Sequence, residues 1–457
     1  MSRANSSNGD LTSRLATLLL QRHDGKALLQ GISFEHLAHQ VDTPFYVYDE
    51  NVMLRQLQLL RRTLPEQVEI YYSVKANPHV RVIESFVGQG CGCEIASGGE
   101  YVLAKRAGAH AGRIVFSGPG KGEDELTFVI SQGIGEVHVE SFEEIETIER
   151  IGDSLSKSVA VSLRINPGAG SGAGLLMGGQ ATAFGFEEES LAKVLVAIRG
   201  CGRLNLSGIH LYVGTQILDA DSLLSHWKHA VQLAAQVSDL SHKPVSTIDF
   251  GGGLGIPYFA HEKELDLNAV RQGATEILEE ATRDSRLADS QFIVEPGRFL
   301  VGPAGIYVAS VRSVKQCRGD TFVVLDGGMN HHLAASGNLG QVLRRDYPIV
   351  NLSRNHGPSD EPVTLVGPLC TPIDTLGRRV TLPRPKPGDL IGILQSGAYG
   401  LTASPARFLS HPTPAEVMLR DGDCEVITPR GEPFRKVHPV TGNGTGDPGA
   451  RFEKEVH

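Results

Sequence analysis

The sequence predicts an α/β fold, a closed (β/α)8 barrel followed by a C-terminal antiparallel β-domain. Between residues 69 and 297, eight short apolar segments alternate with amphipathic stretches, as a (β/α)8 barrel requires. After residue 300, short runs rich in valine, isoleucine and leucine are separated by glycine, proline and aspartate, which is typical of antiparallel strands. An open doubly wound sheet is the alternative for the first part. Its glycine-rich nucleotide pattern is poor here, because GAGSGA (168–173) is not followed by a clear helix, and we interpret 168–179 as a glycine loop.

The predicted elements divide the chain into two domains. The barrel is predicted over 45–300, and the β-domain over 301–435 together with the N-terminal segment 1–44; residues 436–457 are predicted to be disordered. FYVYD (45–49) is predicted as a strand that joins the two parts. The barrel strands are EIYYSV (69–74), CGCEIA (91–96), RIVFSG (113–118), EVHVES (136–141), AVSLRINP (160–167), LSGIHLYVG (206–214), STIDFGG (246–252) and QFIVEPG (291–297). The β-domain strands are GIYVASVRSV, TFVVLDGG, PVTLVGPL, DLIGIL, AEVMLRDG and CEVITPR.

The composition predicts a cytoplasmic protein. The chain has 457 residues, with 43 Lys and Arg against 52 Asp and Glu, and a net charge of −9. This balance indicates neither nucleic acid nor an anionic membrane as a partner. The six cysteines are scattered, which favours reduced thiols over a disulfide framework or a zinc site. The apolar run LATLLL is too short to cross a membrane.

A single lysine stands at the end of the first predicted barrel strand. Lys75 follows the apolar run 70–74, where a side chain that merely reaches the surface is the ordinary interpretation. In a closed barrel, however, strands one and eight are neighbours, and catalytic groups lie at the carboxyl ends of the strands. The glycines 251–253 end strand seven, and Glu295 and Arg298 end strand eight. The sequence therefore predicts that these groups meet Lys75 on one rim.

Together these groups suit one cofactor. The glycines let backbone N–H groups approach an anion, and Arg298 adds a charged fork that can bind phosphate. A phosphate beside a lysine and a carboxylate describes pyridoxal 5'-phosphate: the lysine forms a Schiff base with the aldehyde, and the carboxylate keeps the ring nitrogen protonated. A protonated ring is a strong electron sink for a carbanion at Cα. We therefore predict pyridoxal 5'-phosphate as the cofactor.

Seven segments resemble, in the same order, the motifs of the fold-type III pyridoxal-phosphate decarboxylases, the group of diaminopimelate, ornithine and arginine decarboxylases. These segments are YYSVKANPH, CGCEIASGGE, GIHLYVGTQ, DFGGGLG, EPGRFLVGPAG, GPLCTPIDTL and QSGAYG. The resemblance runs from Pro44 to Phe408. It implies an alanine racemase-like barrel with a β-domain, and a head-to-tail homodimer with active sites at the subunit interface.

The resemblance also implies roles for single residues. Lys75 would bond to the cofactor, and Glu295 would pair with its ring nitrogen. Cys370, reaching in from the other subunit, would handle the proton returned to Cα. The other residues implied to bind the cofactor are Gly252, Gly253, Arg298, Thr215 and Tyr399 at the phosphate, and Glu94 and Arg164 near the ring.

Three positions depart from the family pattern. Tyr212 stands where the family usually stacks a histidine on the cofactor ring, so an aromatic ring is kept without an imidazole. Thr371 replaces the acid that commonly follows the cysteine, which leaves Asp374, together with Tyr399, as the expected contact of the substrate. Ala334 occupies the position of the arginine that holds the distal carboxylate in diaminopimelate decarboxylases.

These departures resemble a side branch of the family. That branch includes decarboxylases linked to exosortase and exopolysaccharide gene clusters, and enzymes acting on carrier-bound or siderophore-type amino acids. The predicted function is α-decarboxylation of an amino acid or an amino-acid-containing intermediate, with a small or carrier-protein-bound substrate. The first alternative is a decarboxylase of free diaminopimelate, ornithine or lysine.

Two alternatives lie outside decarboxylation. A racemase of the same barrel type would place an arginine at the ring nitrogen, so Glu295 disfavours it. A non-catalytic cofactor-binding barrel would lack the β-domain. His331 and His332 keep an open role: as neighbours in a strand they would point to opposite faces, so we predict no metal site.

Overall fold

The computed structural model describes residues 8–168, 182–212, 214–339, 341, 344–357 and 360–432. The predicted glycine loop, apart from Gly168, and the predicted disordered tail lie outside these residues. The chain begins with α1 (Asn8–Leu19), β1 (Gln21–His23), β2 (Lys26–Leu29), β3 (Ile32–Ser33), α2 (Phe34–Val41), β4 (Phe45–Asp49) and α3 (Glu50–Thr63). Strands β1 to β3 form a small antiparallel sheet.

Eight parallel strands of the described residues close into a barrel. They follow the order β5-β6-β7-β8-β9-β11-β12-β13, and β13 pairs back to β5, while the short β10 pairs with β9 outside the ring. The strands are β5 (Val68–Ser73), β6 (Gly92–Ile95), β7 (Ile114–Phe116), β8 (Glu136–Val139), β9 (Val159–Asn166), β10 (Phe186–Glu187), β11 (Leu204–Leu211), β12 (Thr247–Asp249) and β13 (Gln291–Val294). All eight predicted barrel strands are present, which confirms the barrel.

Helices follow the barrel strands and begin at polar caps. Ser97, Ser141 and Asp219 each accept a hydrogen bond from a backbone N–H three residues further on, which satisfies the free end of the following helix. The helices are α4 (Val80–Val87), α5 (Gly98–Arg106), α6 (Glu123–Ser131), α7 (Phe142–Leu155), α8 (Leu191–Arg199), α9 (Ala220–Ser241), α10 (Leu267–Arg283) and the short α11 (Arg298–Val301). None of the helices in the described part of the chain has the length and apolar character that a bilayer crossing requires.

The interior of the barrel combines a small apolar cluster with many buried polar side chains. Tyr71, Val115 and Ile293 form a small apolar cluster. A Cβ on Gly92 would lie 2.5 Å from the Tyr71 ring, so that ring needs a glycine on the neighbouring strand. Side chains of a strand share a face at two-residue steps, and the steps beyond this layer bring polar groups inward. The buried polar residues on these strands or directly after them include Ser73, Glu94, Ser117, Glu136, His138, Ser162, Arg164, His210, Thr247, Asp249 and Glu295.

The second sheet belongs to a separate β-domain. Its path is β18-β17-β15-β14-β4-β20-β21, and β19 pairs with β14 and β16. Two of its pairs, β15–β17 and β4–β20, are parallel, so the sheet is mixed rather than wholly antiparallel. A long connection that includes β16 separates β15 from β17, and it lets the chain return in the same direction. The strands are β14 (Gly305–Cys317), β15 (Asp320–Leu325), β16 (Ile349–Asn351), β17 (Asp360–Val366), β18 (Thr375–Pro383), β19 (Leu390–Ile393), β20 (Ala415–Arg420) and β21 (Asp423–Thr428).

The strand at 45–49 lies in this second sheet, although it falls within the range predicted for the barrel. It pairs with β14 on one side and with β20 on the other. The N-terminal segment packs on the same sheet, because Leu15, Phe34 and Leu37 share a buried cluster with Phe45 and Ile306. The barrel strands themselves therefore begin only at β5.

Candidate active site

A cavity of about 270 Å³ opens beside the carboxyl ends of the barrel strands. Polar side chains from the ends of the barrel strands line it, and Phe184 and Pro119 add apolar walls. Five of the residues predicted from the sequence line this cavity: Lys75, Glu94, Arg164, Tyr212 and Glu295. The structure thus brings together groups that lie up to 220 residues apart in sequence.

Lys75 lies in a short 3₁₀ turn directly after β5. Its Nζ atom lies 2.9 and 2.8 Å from the two carboxylate oxygens of Glu94, at the end of the neighbouring strand β6. The hydroxyls of Ser73 and Ser117 also donate to Glu94, at 2.6 and 2.8 Å. Burial alone would lower the pKa of Lys75, but the charges of Glu94 and Glu295 outweigh it and raise that pKa above its usual range. Without an aldehyde bonded to it, the amino group of Lys75 is therefore protonated.

Glu295 follows β13 and is buried beside the cavity. Its Oε2 atom lies 3.4 Å from Nε2 of His210, whereas Oε1 has no hydrogen-bond partner among the described residues. Burial alone would raise the pKa of Glu295, but its interactions with His210, His138 and Lys75 outweigh that effect and lower the pKa. An ionised carboxylate with a free oxygen can accept a hydrogen bond from a protonated ring nitrogen.

The glycine loop after β12 packs directly against the end of β13. Gly251 and Gly253 have φ values of +68° and +105°, which side chains rarely adopt. A Cβ on Gly252 would lie 2.6 Å from the backbone oxygen of Glu295, so only glycine fits there. The loop also meets the loop after β11, because Ile217 N donates to the Gly253 carbonyl at 2.8 Å. Close backbone packing of this kind leaves room for an anion beside the N–H groups.

Arg298, the first residue of α11, lies between two tyrosine rings. Its guanidinium carbon lies 4.7 Å from the ring centroid of Tyr399 and 5.4 Å from that of Tyr258, and Nη1 donates to the Tyr258 hydroxyl at 3.1 Å. Its buried Nε has no partner among the described residues. Tyr399 is fixed beside the Lys75 turn, since its N–H donates to the Ala76 carbonyl at 2.8 Å. Thr215 is exposed in the loop after β11.

Arg164 lies on β9 and pairs with Glu140, Nη1 to Oε1, at 2.8 Å. Glu140 also accepts the backbone N–H groups of Gly118 and Gly185, at 2.6 and 3.2 Å, so one carboxylate fixes an arginine and two loops at the cavity. The ring centroid of Tyr212 lies 5.9 Å from the guanidinium carbon of Arg164. Tyr212 therefore presents an aromatic ring to the cavity, at the position where the family resemblance leads us to expect a stacked histidine.

Cys370 and Asp374 are not among the residues that line the cavity of their own chain. Cys370 is exposed in the loop between β17 and β18. Asp374 is buried, and its two oxygens accept the backbone N–H groups of Met329 and Leu369 at 2.7 and 2.9 Å. Each oxygen accepts one hydrogen bond here and can accept another, so the expected contact of Asp374 with a substrate amine stays a prediction. Asp374 fastens the loop of Cys370 to residues 327–339.

His331 and His332 lie in a turn rather than in a strand, so the expectation of opposite faces does not apply. Both are buried: Nε2 of His332 lies 2.9 Å from Ser396 Oγ, and Nε2 of His331 lies 3.0 Å from Asn330 Nδ2. Burial lowers the pKa of His331 to about 4 and that of His332 to about 3. Both imidazoles are therefore neutral at pH 7, and they pack in the β-domain.

Sequence reasoning missed several residues around the cavity, and four of them contact the predicted site residues or face the barrel interior. His138 and His210 face the barrel interior, Glu140 holds Arg164, and Tyr258 covers Arg298. Two-residue steps along the strands could have found the first three. His210 and His138 lie two residues before Tyr212 and Glu140, so they share the inward face. Tyr258 lies in an irregular loop, where no two-residue period in the sequence could have indicated it.

The residues present fit the predicted cofactor. A free oxygen on Glu295 suits a ring nitrogen, the free Nε of Arg298 and the glycine loop suit a phosphate, and Lys75 is placed to anchor an aldehyde. A lysine on the first strand of a (β/α)8 barrel, opposite such an anion site, defines a pyridoxal-phosphate barrel enzyme.

The chain belongs to the pyridoxal-dependent decarboxylase family, whose pyridoxal binding domain matches residues 50–302. It is 40% identical over 399 residues to the L-glutamyl-[BtrI acyl-carrier protein] decarboxylase of Niallia circulans, covering 86% of this chain and 93% of the relative. It is 30% identical over 416 residues to the diaminopimelate decarboxylase of Aquifex aeolicus, covering 90% and 94%. The crystal structure of Helicobacter pylori diaminopimelate decarboxylase complexed with L-lysine matches with a TM-score of 0.78 and 28% identity, covering 88% and 97%.

These findings confirm the predicted class of reaction. The protein is a pyridoxal-phosphate-dependent carboxy-lyase that removes CO2 from an amino acid or an amino-acid-containing biosynthetic intermediate. Decarboxylation is thereby favoured over the racemase and over the non-catalytic barrel.

Proposed function

We propose that the substrate is an amino acid attached through its side chain to a carrier protein, and that only its α-carboxylate is removed. The observation that carries this proposal is the 40% identity, over 93% of its length, to the carrier-protein glutamyl decarboxylase of Niallia circulans. That relative acts on a glutamyl group joined to its carrier, as its name states. An amino acid held in this way has a neutral distal end, because its second carboxyl group is tied up in the link.

The loop at residues 327–339 supports a neutral distal end. It contains no lysine or arginine, and Ala334, at the position of the arginine of diaminopimelate decarboxylases, is small and buried. The two histidines of this loop are neutral at pH 7 because burial lowers their pKa values to about 4 and about 3. This loop packs against the loop of Cys370 through Asp374. The loop itself therefore supplies no cation to a free distal carboxylate, and the guanidinium of the neighbouring Arg344 is already bonded to Asn338 Oδ1.

We assign the chemical roles from the geometry of the cavity. Lys75 anchors the cofactor, Glu295 holds a proton at its ring nitrogen, and the glycine loop with Arg298, Thr215 and Tyr399 binds its phosphate. Glu94, held by Ser73 and Ser117, stays beside Lys75 and orients its ammonium group. The bound cofactor supplies an electron sink for the electron pair left on Cα when CO2 departs. Arg164 and Tyr212 border the space beside the ring.

We further propose a homodimer in which the partner subunit's Cys370 returns the proton to Cα. In its own chain, Cys370 is exposed and does not line the cavity. The exposed apolar side chain of Ile373 lies in the same loop, which suits a surface that another subunit covers. Asp374 and Asn338 fix this loop, because Asn338 Nδ2 donates to the Ile373 carbonyl at 3.2 Å. The scattered, unpaired cysteines support a cytoplasmic location.

Mixing two inactive variants tests the shared site. We expect Lys75→Ala and Cys370→Ala proteins each to have little activity alone. After mixing in equal amounts with free subunit exchange, half of the dimers are mixed and each has one intact site, so about a quarter of all sites should be active. The measurement is CO2 release, with exchange followed by mass spectrometry of differently tagged subunits. No recovery despite complete exchange would mean that Cys370 serves its own subunit.

A substrate comparison tests the carrier-bound amino acid. The probes are L-glutamyl thioester on a phosphopantetheinylated acyl-carrier protein, free L-glutamate, meso-diaminopimelate, L-ornithine and L-lysine. We expect kcat/KM for the carrier-bound glutamyl group to exceed those for the free amino acids by about 100-fold, because the distal end of each free acid or amine meets no matching charge. Release of CO2 and the mass of the product on the carrier are the measurements. Equal or faster turnover of meso-diaminopimelate would contradict the proposal and favour the free amino acid.

A further inference from the structure

Below Glu295, the barrel interior holds a connected group of ionisable side chains. Four other residues contribute: Glu136 and His138 from β8, His210 from β11 and Asp249 from β12. Each of these side chains is at most 9% exposed. Barrel interiors are ordinarily filled with branched apolar side chains, so a polar layer that costs folding free energy requires a reason.

The contacts run continuously from the barrel interior to Glu295. Nε2 of His138 lies 3.4 Å from Glu136 Oε1 and 3.8 Å from Asp249 Oδ2. The rings of His138 and His210 pack with centroids 4.3 Å apart, and His210 Nε2 lies 3.4 Å from Glu295 Oε2. Of the four residues, His210 alone also lines the cavity. His210 is therefore the direct link between the buried group and the carboxylate.

The group also reaches the phosphate side of the cavity. Asp249 Oδ1 accepts the backbone N–H of Gly251 at 2.8 Å, so the same residues that face Glu295 hold the start of the glycine loop. Burial and the neighbouring charge of Glu295 raise the pKa of Asp249 well above its usual range, whereas the pKa of Glu295 is lowered. Two carboxyl groups with opposite shifts share one site, and Glu295 is the one that stays ionised.

We propose that His210, braced by the ring of His138, is a positioning residue that holds the Glu295 carboxylate in place opposite the ring nitrogen of the cofactor. The inference rests on the role assigned to Glu295 under the proposed function. Glu295 is faced by Lys75 at the end of β5, His138 on β8, His210 on β11 and Asp249 on β12. Among these groups, His210 places its Nε2 atom 3.4 Å from Glu295 Oε2 and lines the cavity beside it. Burial lowers the pKa of His210, so the contact is that of an imidazole rather than of a fixed cation.

The direct test measures the protonation of the cofactor ring, not only activity. Holoenzyme is loaded with pyridoxal 5'-phosphate labelled with ¹⁵N in the ring, and the ring signal is read by NMR. The parent protein should give the signal of a protonated ring nitrogen. His210→Leu should move that signal towards the position of a neutral ring nitrogen. It should also weaken cofactor retention on dialysis by about tenfold, which is the free-energy change that one pKa unit represents. His210→Gln, which keeps a polar nitrogen, should restore part of both properties.

A matched control separates positioning from general packing. His226 on α9 is a buried histidine too, but its ring nitrogens lie near no carboxylate among the described residues and it does not line the cavity. His226→Leu should leave the ring signal and cofactor retention unchanged. An equal shift in both variants would overturn the proposal, since any buried histidine would then serve as well.

A double-mutant cycle shows whether His210 acts through Glu295. If it does, His210→Leu combined with Glu295→Gln should be no slower than Glu295→Gln alone, whereas independent effects would multiply. A multiplied loss would overturn the inference. If Glu295→Gln itself leaves the ring signal unchanged, the assignment of Glu295 fails; if it shifts the signal and His210→Leu does not, only the positioning role fails.

The same cluster also has ligand atoms close enough together to bind a metal ion, so metal binding is a further outcome of the test. Ligand atoms of His138, His210 and Glu295 lie within 4.8 Å of one another. Elemental analysis of the purified holoenzyme should find no stoichiometric transition metal. One metal per chain that is lost in His210→Leu would overturn the positioning role.

Discussion

Replacement of Lys75 by alanine should abolish covalent retention of the cofactor and reduce decarboxylation by on the order of 10⁴-fold or more, because the anchoring amine is lost. Lys75 lines the cavity, and its Nζ atom lies 2.9 and 2.8 Å from the two carboxylate oxygens of Glu94. Borohydride reduction of the parent holoenzyme followed by peptide mapping should put the pyridoxyl mass on the peptide of Lys75. The variant should carry no such mass and show no visible absorbance after gel filtration.

A lysine away from the cavity provides the control. Lys105 on α5 donates to the Ala109 carbonyl and does not line the site. Lys105→Ala should keep both the label on Lys75 and the activity. A pyridoxyl mass on another lysine of the parent protein would show that Lys75 is not the lysine that anchors the cofactor.

Replacement of Glu295 by glutamine should leave the cofactor bound but slow decarboxylation by about 10²- to 10³-fold, the effect of one lost charge-assisted interaction in a buried site. The amide keeps the size of the carboxylate and removes the charge that favours a protonated ring nitrogen. Single-turnover CO2 release from holoenzyme measures the chemical step separately from product release. An unchanged rate, with the cofactor still on Lys75, would contradict the pairing of Glu295 with the ring.

The barrel could be predicted from sequence because each strand is a short, mainly apolar run that ends at glycine, proline or polar residues. The β-domain was harder. β16 (Ile349–Asn351) is too short to show a period, and β18 (Thr375–Pro383) has a glycine and two arginines inside it. The parallel pairing of β15 with β17 depends on how the long connection between them folds. Non-local packing decides that pairing, and no pattern in the strands encodes it.

The site could be predicted in part for the same physical reason. Barrel closure brings strand ends together, so Lys75, Glu94 and Glu295 followed from their places at those ends. His138 and His210 were missed because they lie before the strand ends, inside the barrel, where only the two-residue period of the strand indicates them. The backbone partners of Asp374 could not be predicted, because one belongs to a distant loop and the other to its own turn. Cys370 shows the same limit, since its proposed position depends on a second subunit.

The buried polar side chains inside the barrel make the stability of the protein depend on the supply of its cofactor. Glu136, His138, His210, Asp249 and Glu295 displace apolar side chains that would favour folding, so the empty protein gives up stability at its centre. A cofactor that binds only the folded chain returns stability by mass action, about 2.7 kcal/mol when its free concentration is 100 times the dissociation constant. Cells short of the vitamin would therefore hold less of this enzyme, because unliganded chains unfold more often and are degraded.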